Sequence, residues 1–295
     1  MARRLVWEQD GLDWPFAAHS SFVEADGLRW HVQQMGQPAR TAPLLLLVHG
    51  TGASTHTWRA LAPLLAQQYS LLAIDLPGHA FTSQASPLQL SLPGMARAVA
   101  ALLQQLHARP ALAIGHSAGA ALLVRMVLDG LLDQVQRLAA INGAFLPFGG
   151  FAAPLFAPLA RLLYASPVVP WLFSRRAADL AVVERLVRGT GSQLDAQGIA
   201  WYARLIRSPA HAEAALGMMA HWDLATLAAD LPRLHTPLQL IVGERDAAVP
   251  PRQAQQVAAR CAVAQVDILP RLGHLAHEED AAAVAESLRL GGIPR

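Results

Sequence analysis

The chain is 295 residues long, 53% hydrophobic and 15% charged, with a formal net charge of +2. That composition supports one large domain, or a core with an insertion, and excludes a disordered chain. No run of basic residues marks a nucleic-acid groove, and every basic residue is arginine. The absence of lysine excludes P-loop phosphate binding, Schiff-base chemistry and a lysine general base.

The single cysteine, Cys261, rules out an internal disulfide and a cysteine-based zinc site. The N-terminal stretch MARRLVWEQDGLDWP has two arginines but no apolar core of a secretory leader, and no uninterrupted apolar run reaches the length of a membrane span. The expectation is a cytoplasmic protein.

In chain order, SSFVEADGLRWHVQQMG (20–36) predicts two strands around the turn signal Asp26-Gly27. APLLLLVHGTGAS (42–54) is a continuous apolar strand ending in a glycine loop, as expected of a sheet covered on both faces. TWRALAPLLAQQ (57–68) has helical periodicity, and YSLLAIDLPGHA (69–80) is a further buried strand ending at Asp75. A helix over 92–107, a strand over 111–115, a helix over 118–130 and a strand within 135–143 follow. Strand and helix alternate, which predicts a parallel, doubly wound α/β sheet.

That rhythm stops from about Gly143 to Leu231, where helix-like pieces and many prolines replace it. It resumes with a strand in 237–246, a helix over 251–261, a strand over 264–269 and a closing helix over 277–290. The expected organisation is a core of residues 1–142 and 232–295, with 143–231 inserted as a helical lid over the carboxyl ends of the strands.

The stretch ALAIGHSAGAALLVRM (111–126) puts Ser117 between a strand and a helix, flanked by Gly115, Ala118, Gly119 and Ala120. This is the context of a nucleophile elbow, whose tight backbone tolerates only small neighbours. A serine nucleophile needs a base oriented by an acid. The stretch LIVGERDAAVP, which runs from the strand in 237–246 into its loop, offers Glu244 and Asp246; RLGHLAHEED offers His274 and His277. Asp246 is preferred because it lies deeper in its loop, and His274 because it follows Gly273 at a loop end. The order Ser117, Asp246, His274 is that of an α/β-hydrolase triad. The oxyanion hole is expected from the backbone N–H groups of Ala118 and Thr51.

Bland roles are expected for several polar residues. His49 should hold its loop by a hydrogen bond, and Asp75 should serve a turn, with a substrate contact as the alternative. His116 should pack beside the nucleophile or line the pocket. His274 and His277 are spaced i, i+3 but have no supporting ligand set, so no metal and no cofactor are expected. A serine nucleophile points to acyl chemistry on an ester, thioester, amide or C–C bond, or to acyl transfer.

With HGTGAS, DLPGHA, GHSAGAA, VGERDAAVP and LGHLAHEE in this order, the chain resembles the α/β-hydrolase superfamily over nearly its whole length. The resemblance implies that fold and a Ser–His–Asp mechanism. Ala80 departs from the glycine that many relatives carry after PGH, which leaves the triad untouched. More narrowly, DGLDWPFAAHSSFVEADGLRWHVQQMG, LLLLVHGTGASTHTWRALAPLLA and DLPGHAFT are similar to the magnesium-chelatase accessory proteins of bacteriochlorophyll biosynthesis. This implies a photosynthetic role at or near magnesium insertion into protoporphyrin, with magnesium chelatase or a tetrapyrrole as partner. Residues 145–173 contain one charge, Arg161. Such a segment suits an apolar pocket wall or a peripheral membrane contact. Trp171 would add flat surface, and Arg161, Arg175 or Arg176 could meet porphyrin carboxylates. The expected substrate is an apolar small molecule, with His116, Trp171 and Arg161 as candidate contacts.

Overall fold

The run Leu44–Val48 shows how this chain builds its core. Successive strand residues point to opposite faces, so Leu45 and Leu47 enter one apolar cluster while Leu46 and Val48 enter another. Both faces of the sheet are therefore covered, and an unbroken apolar strand results where a one-sided sheet would alternate.

A computed structural model provides the structure and describes residues 4–38, 40–147 and 179–288. Strands β1 (Ser20–Ala25), β2 (Leu28–Gly36), β3 (Leu44–Val48), β4 (Ser70–Ile74), β5 (Leu112–His116), β6 (Arg137–Ile141), β7 (Leu238–Gly243) and β8 (Ala264–Leu269) form one sheet. Their order is β1-β2-β4-β3-β5-β6-β7-β8. The pairs β1–β2 and β2–β4 are antiparallel, and all the others are parallel. The β1–β2 hairpin closes at the pair Ala25–Leu28, with Asp26 and Gly27 both at positive φ (50° and 71°). This is the primed turn that matches strand twist.

The helices Leu92–Gln105, Ala118–Leu128 and Pro251–Ala258 pack on one face of the sheet. Trp58, Leu61, Leu65, Ala276 and Val284 cover the other. The continuous helix expected over 57–68 does not form. A 3₁₀ turn, Thr55–Trp58, is followed by a separate turn of helix, Ala62–Leu65, with Pro63 in its first positions. Pro63 has no N–H and its ring crowds the preceding turn, so it begins a helix where it cannot continue one. The closing helix is also split: Ala276–Glu279 ends at Asp280, which caps Ala281–Ser287 by accepting from Ala283 N.

Between β6 and β7 the described residues hold helices Leu180–Gly189, Ala196–Ile206, Pro209–His221 and Leu224–Asp230. Asp179, Asp195, Ser208 and Asp223 cap their N-termini. Arg161 and Trp171, with Arg175 and Arg176, lie outside the described residues. No helix among the described residues is long and apolar enough to cross a membrane.

Asp75 is more than a turn residue and does not reach the cavity. It is fully buried at the end of β4, with Oδ2 2.7 Å from His31 Nδ1 and Oδ1 accepting from Thr55 N at 2.7 Å. Burial alone would raise its pKa; the facing His31, with His49 and the Thr55 N–H, outweighs that and holds it at about 2. His31 Nε2 in turn lies 3.0 Å from Ser20 Oγ, so the network ties β1, β2 and β4 to the loop after β3.

Candidate active site

Five parallel strands deliver polar residues to one edge of the sheet: β3 leads to His49 and Thr51, β5 to Ser117, β6 to Asn142, β7 to Asp246 and β8 to His274. Ligands of open α/β sheets bind at this carboxyl edge because the connections diverge there.

Ser117 occupies the step from β5 into the helix Ala118–Leu128, at φ 51° and ψ −117°. A non-glycine residue holds such a conformation only when its surroundings enforce it, at a cost of about 1–3 kcal/mol. The enforcement is visible: Ser117 N donates to Ile141 O at 3.0 Å, and Ser117 O accepts from Ala144 N at 3.1 Å. The flanking glycines are required by close approach. A Cβ on Gly115 would lie 2.4 Å from Ala120 N, and one on Gly119 would lie 2.3 Å from Val48 O.

Ser117 stands at an N-cap position without serving as a cap. Ser54, Ser86, Ser91 and Ser208 each accept a backbone N–H at the start of a helix, whereas the Ser117 side chain makes no capping bond. Ser117 lines a cavity of about 330 Å³, together with Thr51, Ala118 and His274. The remaining wall is largely apolar, with Met218, Trp222, Leu224 and Val249. Asp223 brings a carboxylate to the wall, where its oxygens already accept from Ala225 N and Thr226 Oγ1.

His274 Nδ1 lies 2.8 Å from Asp246 Oδ2. The other oxygen of Asp246 accepts from Ala248 N and Val249 N, both at 2.8 Å, and Oδ2 also accepts from Asn142 Nδ2 at 2.6 Å. Each hydrogen-bond partner of this buried carboxylate can donate to it, and together they fix its plane. Glu244, the other acid in the loop, is exposed and accepts from Arg271 N.

The remaining histidines sort by their contacts. His49 bridges its loop, with Nδ1 2.7 Å from Gly50 O and Nε2 accepting from Leu76 N at 2.9 Å. His116 is not part of the cavity wall. Its Nε2 lies 2.9 Å from His274 O and its ring rests on His274 and His277, so it backs His274 and does not face the cavity. The side chain of a strand's last residue points away from the turn that presents Ser117, and that pleat decides its place. His277 is fully buried, with Nε2 2.7 Å from Thr57 Oγ1. Burial, then the neighbouring His274 and Arg59, lower His277 to about 3, and burial keeps His116 well below its ordinary value. Both rings are neutral at pH 7.

Asn142 escaped the sequence reading. Its signal was there: a lone polar side chain closing the apolar strand RLAAI at the same edge as Ser117. Ser20, His31 and Asp75 repeat the residue types of Ser117, His274 and Asp246, with a His–Asp pair at a similar distance, yet none of them lines the cavity. Residue types alone do not identify the site; the concavity does.

The alpha/beta hydrolase family model matches residues 45–287. The chain is 37% identical over 266 residues to the magnesium-chelatase 30 kDa subunit of Rhodobacter capsulatus, which covers 90% of this chain and 92% of that protein. It is 28% identical over 244 residues to the pimeloyl-[acyl-carrier protein] methyl ester esterase of Xylella fastidiosa, 78% of this chain and 87% of that one. Among solved structures, an alpha/beta hydrolase fold protein from Burkholderia ambifaria superposes with a TM-score of 0.73 at 24% identity, covering 91% of this chain and 98% of the other. By its sheet order, its site geometry and these matches, the chain belongs to the alpha/beta hydrolase family.

Proposed function

We propose that this protein is a serine hydrolase acting on an apolar ester or related acyl substrate, working beside magnesium insertion into a tetrapyrrole. The observation that carries the hydrolase reading is a strained serine, spared from capping, that shares a cavity with an Asp-paired histidine. In this reading Ser117 Oγ attacks the substrate carbonyl and His274 Nε2 takes its proton. The backbone N–H groups of Thr51 and Ala118 receive the oxyanion. Collapse of the adduct expels the alcohol, which leaves with the proton from His274. A water deprotonated by His274 then attacks the acyl group, Ser117 departs with that proton, and the carboxylic acid released gives up its own proton to solvent. Asp246 stabilises the imidazolium in both steps.

The apolar wall favours a neutral acyl group, and the Asp223 carboxylate disfavours a free acid there. A cavity of about 330 Å³ lies at the small end of ligand sites. It suits an ester side chain reaching Ser117 while the bulk of a flat substrate stays outside. Helices 180–230 form the covering lid in this reading, within an insertion of residues 143–231.

The direct test is labelling by a fluorophosphonate together with hydrolysis of aryl esters. Wild type should label and turn over; Ser117→Ala and His274→Ala should not. Failure of the folded wild type to label rejects the hydrolase reading.

The name of the Rhodobacter capsulatus relative supports a second reading, a non-hydrolytic accessory protein that binds a porphyrin or the magnesium chelatase. Metal insertion needs no serine nucleophile. The two readings part in a phototrophic bacterium lacking its own protein of this kind: a hydrolase requires Ser117 to restore pigment, and a binding protein restores it with Ser117→Ala.

A further inference from the structure

The segment Thr190–Ser192 joins helices Leu180–Gly189 and Ala196–Ile206. It lies between the loop that carries Asp246 and the loop that carries His274. On one side, Ala247 N donates to Thr190 O at 3.0 Å. On the other, Leu275 N donates to the buried Ser192 Oγ at 2.8 Å. There is no room to spare on either side. A Cβ on Gly191, whose φ is +84°, would lie 1.9 Å from Arg245 O, and one on Gly273 would lie 2.4 Å from Gly191 C.

Glu279 completes the attachment. Its Oε1 accepts from Gly273 N at 2.9 Å and its Oε2 from Gln193 N at 3.1 Å. The amide before His274 is thus held by Glu279, the amide after it by Ser192, and its own carbonyl by His116. Since the backbone around His274 is fixed at three consecutive points, its side chain has only two torsions left to find Asp246.

We propose that Ser192 and Glu279 are positioning residues for the catalytic base: the inter-helix segment 190–193 is a wedge that sets the spacing of the acid and base loops and so aims the His274 imidazole. The proposal rests on the hydrolase reading for its catalytic consequence. Neither residue lines the cavity, so neither contributes to substrate affinity. A misplacement of about 1 Å in a catalytic group can cost on the order of 10²-fold in rate, and groups that orient a functional side chain are typically worth about 10–100-fold. Ser192→Ala leaves Leu275 N as a buried donor without an acceptor. Glu279→Gln sets an amide NH₂ against one of two backbone donors.

The test compares Ser192→Ala and Glu279→Gln with Tyr202→Phe. Tyr202, on the same helical unit, donates to Glu278 Oε1 at 2.6 Å, so its loss loosens the same helices from the core without touching the amides around His274. With folding of each variant verified by its unfolding midpoint, the wedge predicts kcat on an aryl ester down about 10–100-fold in Ser192→Ala and Glu279→Gln. KM should stay within about twofold, and Tyr202→Phe should keep wild-type kcat whatever its stability. Equal kcat in all variants overturns the proposal and leaves the hydrolase reading standing; equal losses in all three overturn it as well, since a merely structural tie would produce them. A second readout does not need turnover: the downfield Nδ1 proton resonance of His274, identified by its loss in Asp246→Asn, should broaden or shift in Ser192→Ala and Glu279→Gln. If wild type hydrolyses nothing, the hydrolase reading fails, and an unchanged resonance in these variants then overturns the wedge, while a perturbed one upholds it.

Discussion

Asn142 Nδ2 donates to Asp246 Oδ2 at 2.6 Å, onto the same oxygen that meets His274 Nδ1. Asp246 is thereby surrounded by four donors, two on each oxygen. Asp246→Asn must turn its NH₂ against one donor pair. In the proposed mechanism this lowers kcat/KM by about 10⁴-fold, and it costs about 1–3 kcal/mol in stability for the donors left unsatisfied. Aryl ester hydrolysis and urea unfolding measure the two effects separately. Asn142→Gly retains the left-handed backbone (φ 50°) and removes one donor only, so about a tenfold loss of kcat/KM is expected, in line with groups that orient a catalytic side chain.

Substitutions at Ser117 separate strain from chemistry. Ser117→Ala keeps a Cβ at φ 51° and should unfold at the wild-type midpoint. Ser117→Gly relieves about 1–3 kcal/mol of strain against roughly 0.5–1 kcal/mol of added chain entropy, so its midpoint should rise. Neither variant should be labelled by a fluorophosphonate. A stability gain in the alanine variant equal to that of glycine would show that the elbow stores no strain.

Glycines at the elbow differ from glycines in open turns. Gly119→Ala would place a Cβ 2.3 Å from Val48 O and 2.5 Å from His49 O, both backbone atoms of the neighbouring loop. A loss of about 3 kcal/mol or more is expected, or failure to fold, because neither oxygen can yield without moving the end of β3 and the loop after it. Gly130→Ala meets nothing within 4 Å and carries only its φ of +69°, so about 1 kcal/mol is expected. Denaturant midpoints of the two variants decide the comparison.

Acid should unfold this protein through its histidines before its carboxylates. His211 is lowered to about 4 and His277 to about 3, first by burial, so both are neutral in the native state at pH 5 while the unfolded chain protonates near 6.5. The unfolded state then binds more protons, and stability falls as pH drops from about 6.5 towards 4. At pH 5 each of these two imidazoles accounts for about 2 kcal/mol of lost stability. Asp75, held at about 2, contributes stability above its unfolded value of 3.8 and loses it only between there and pH 2. Urea unfolding at pH 7 and pH 5 should show a drop of several kcal/mol; equal midpoints would contradict the buried neutral imidazoles.

The amino-acid sequence determined the layered fold because burial on both sheet faces leaves a local mark. Five apolar residues in Leu44–Val48, the alternation of such strands with helical periods, and the Asp26-Gly27 turn can all be read without knowing what packs where. It also brought forward Ser117, Asp246 and His274, since a strand–serine–helix step and polar loops after apolar strands are local features. Pro63 and Asp280 divided two expected helices, and each carried its own local signal.

Tertiary structure alone decided which polar residues meet. Asn142 reaches Asp246 across 104 positions, Ser192 reaches Leu275 across 83, and His116 turns to His274 and away from the cavity. It also separated Ser117 from Ser20: Ser20 bonds His31 away from the cavity, whereas Ser117 lines it together with His274. Contacts of that span depend on how the loops at the carboxyl edge pack against the helices between β6 and β7. No window of sequence encodes that packing, because it is a property of the assembled sheet.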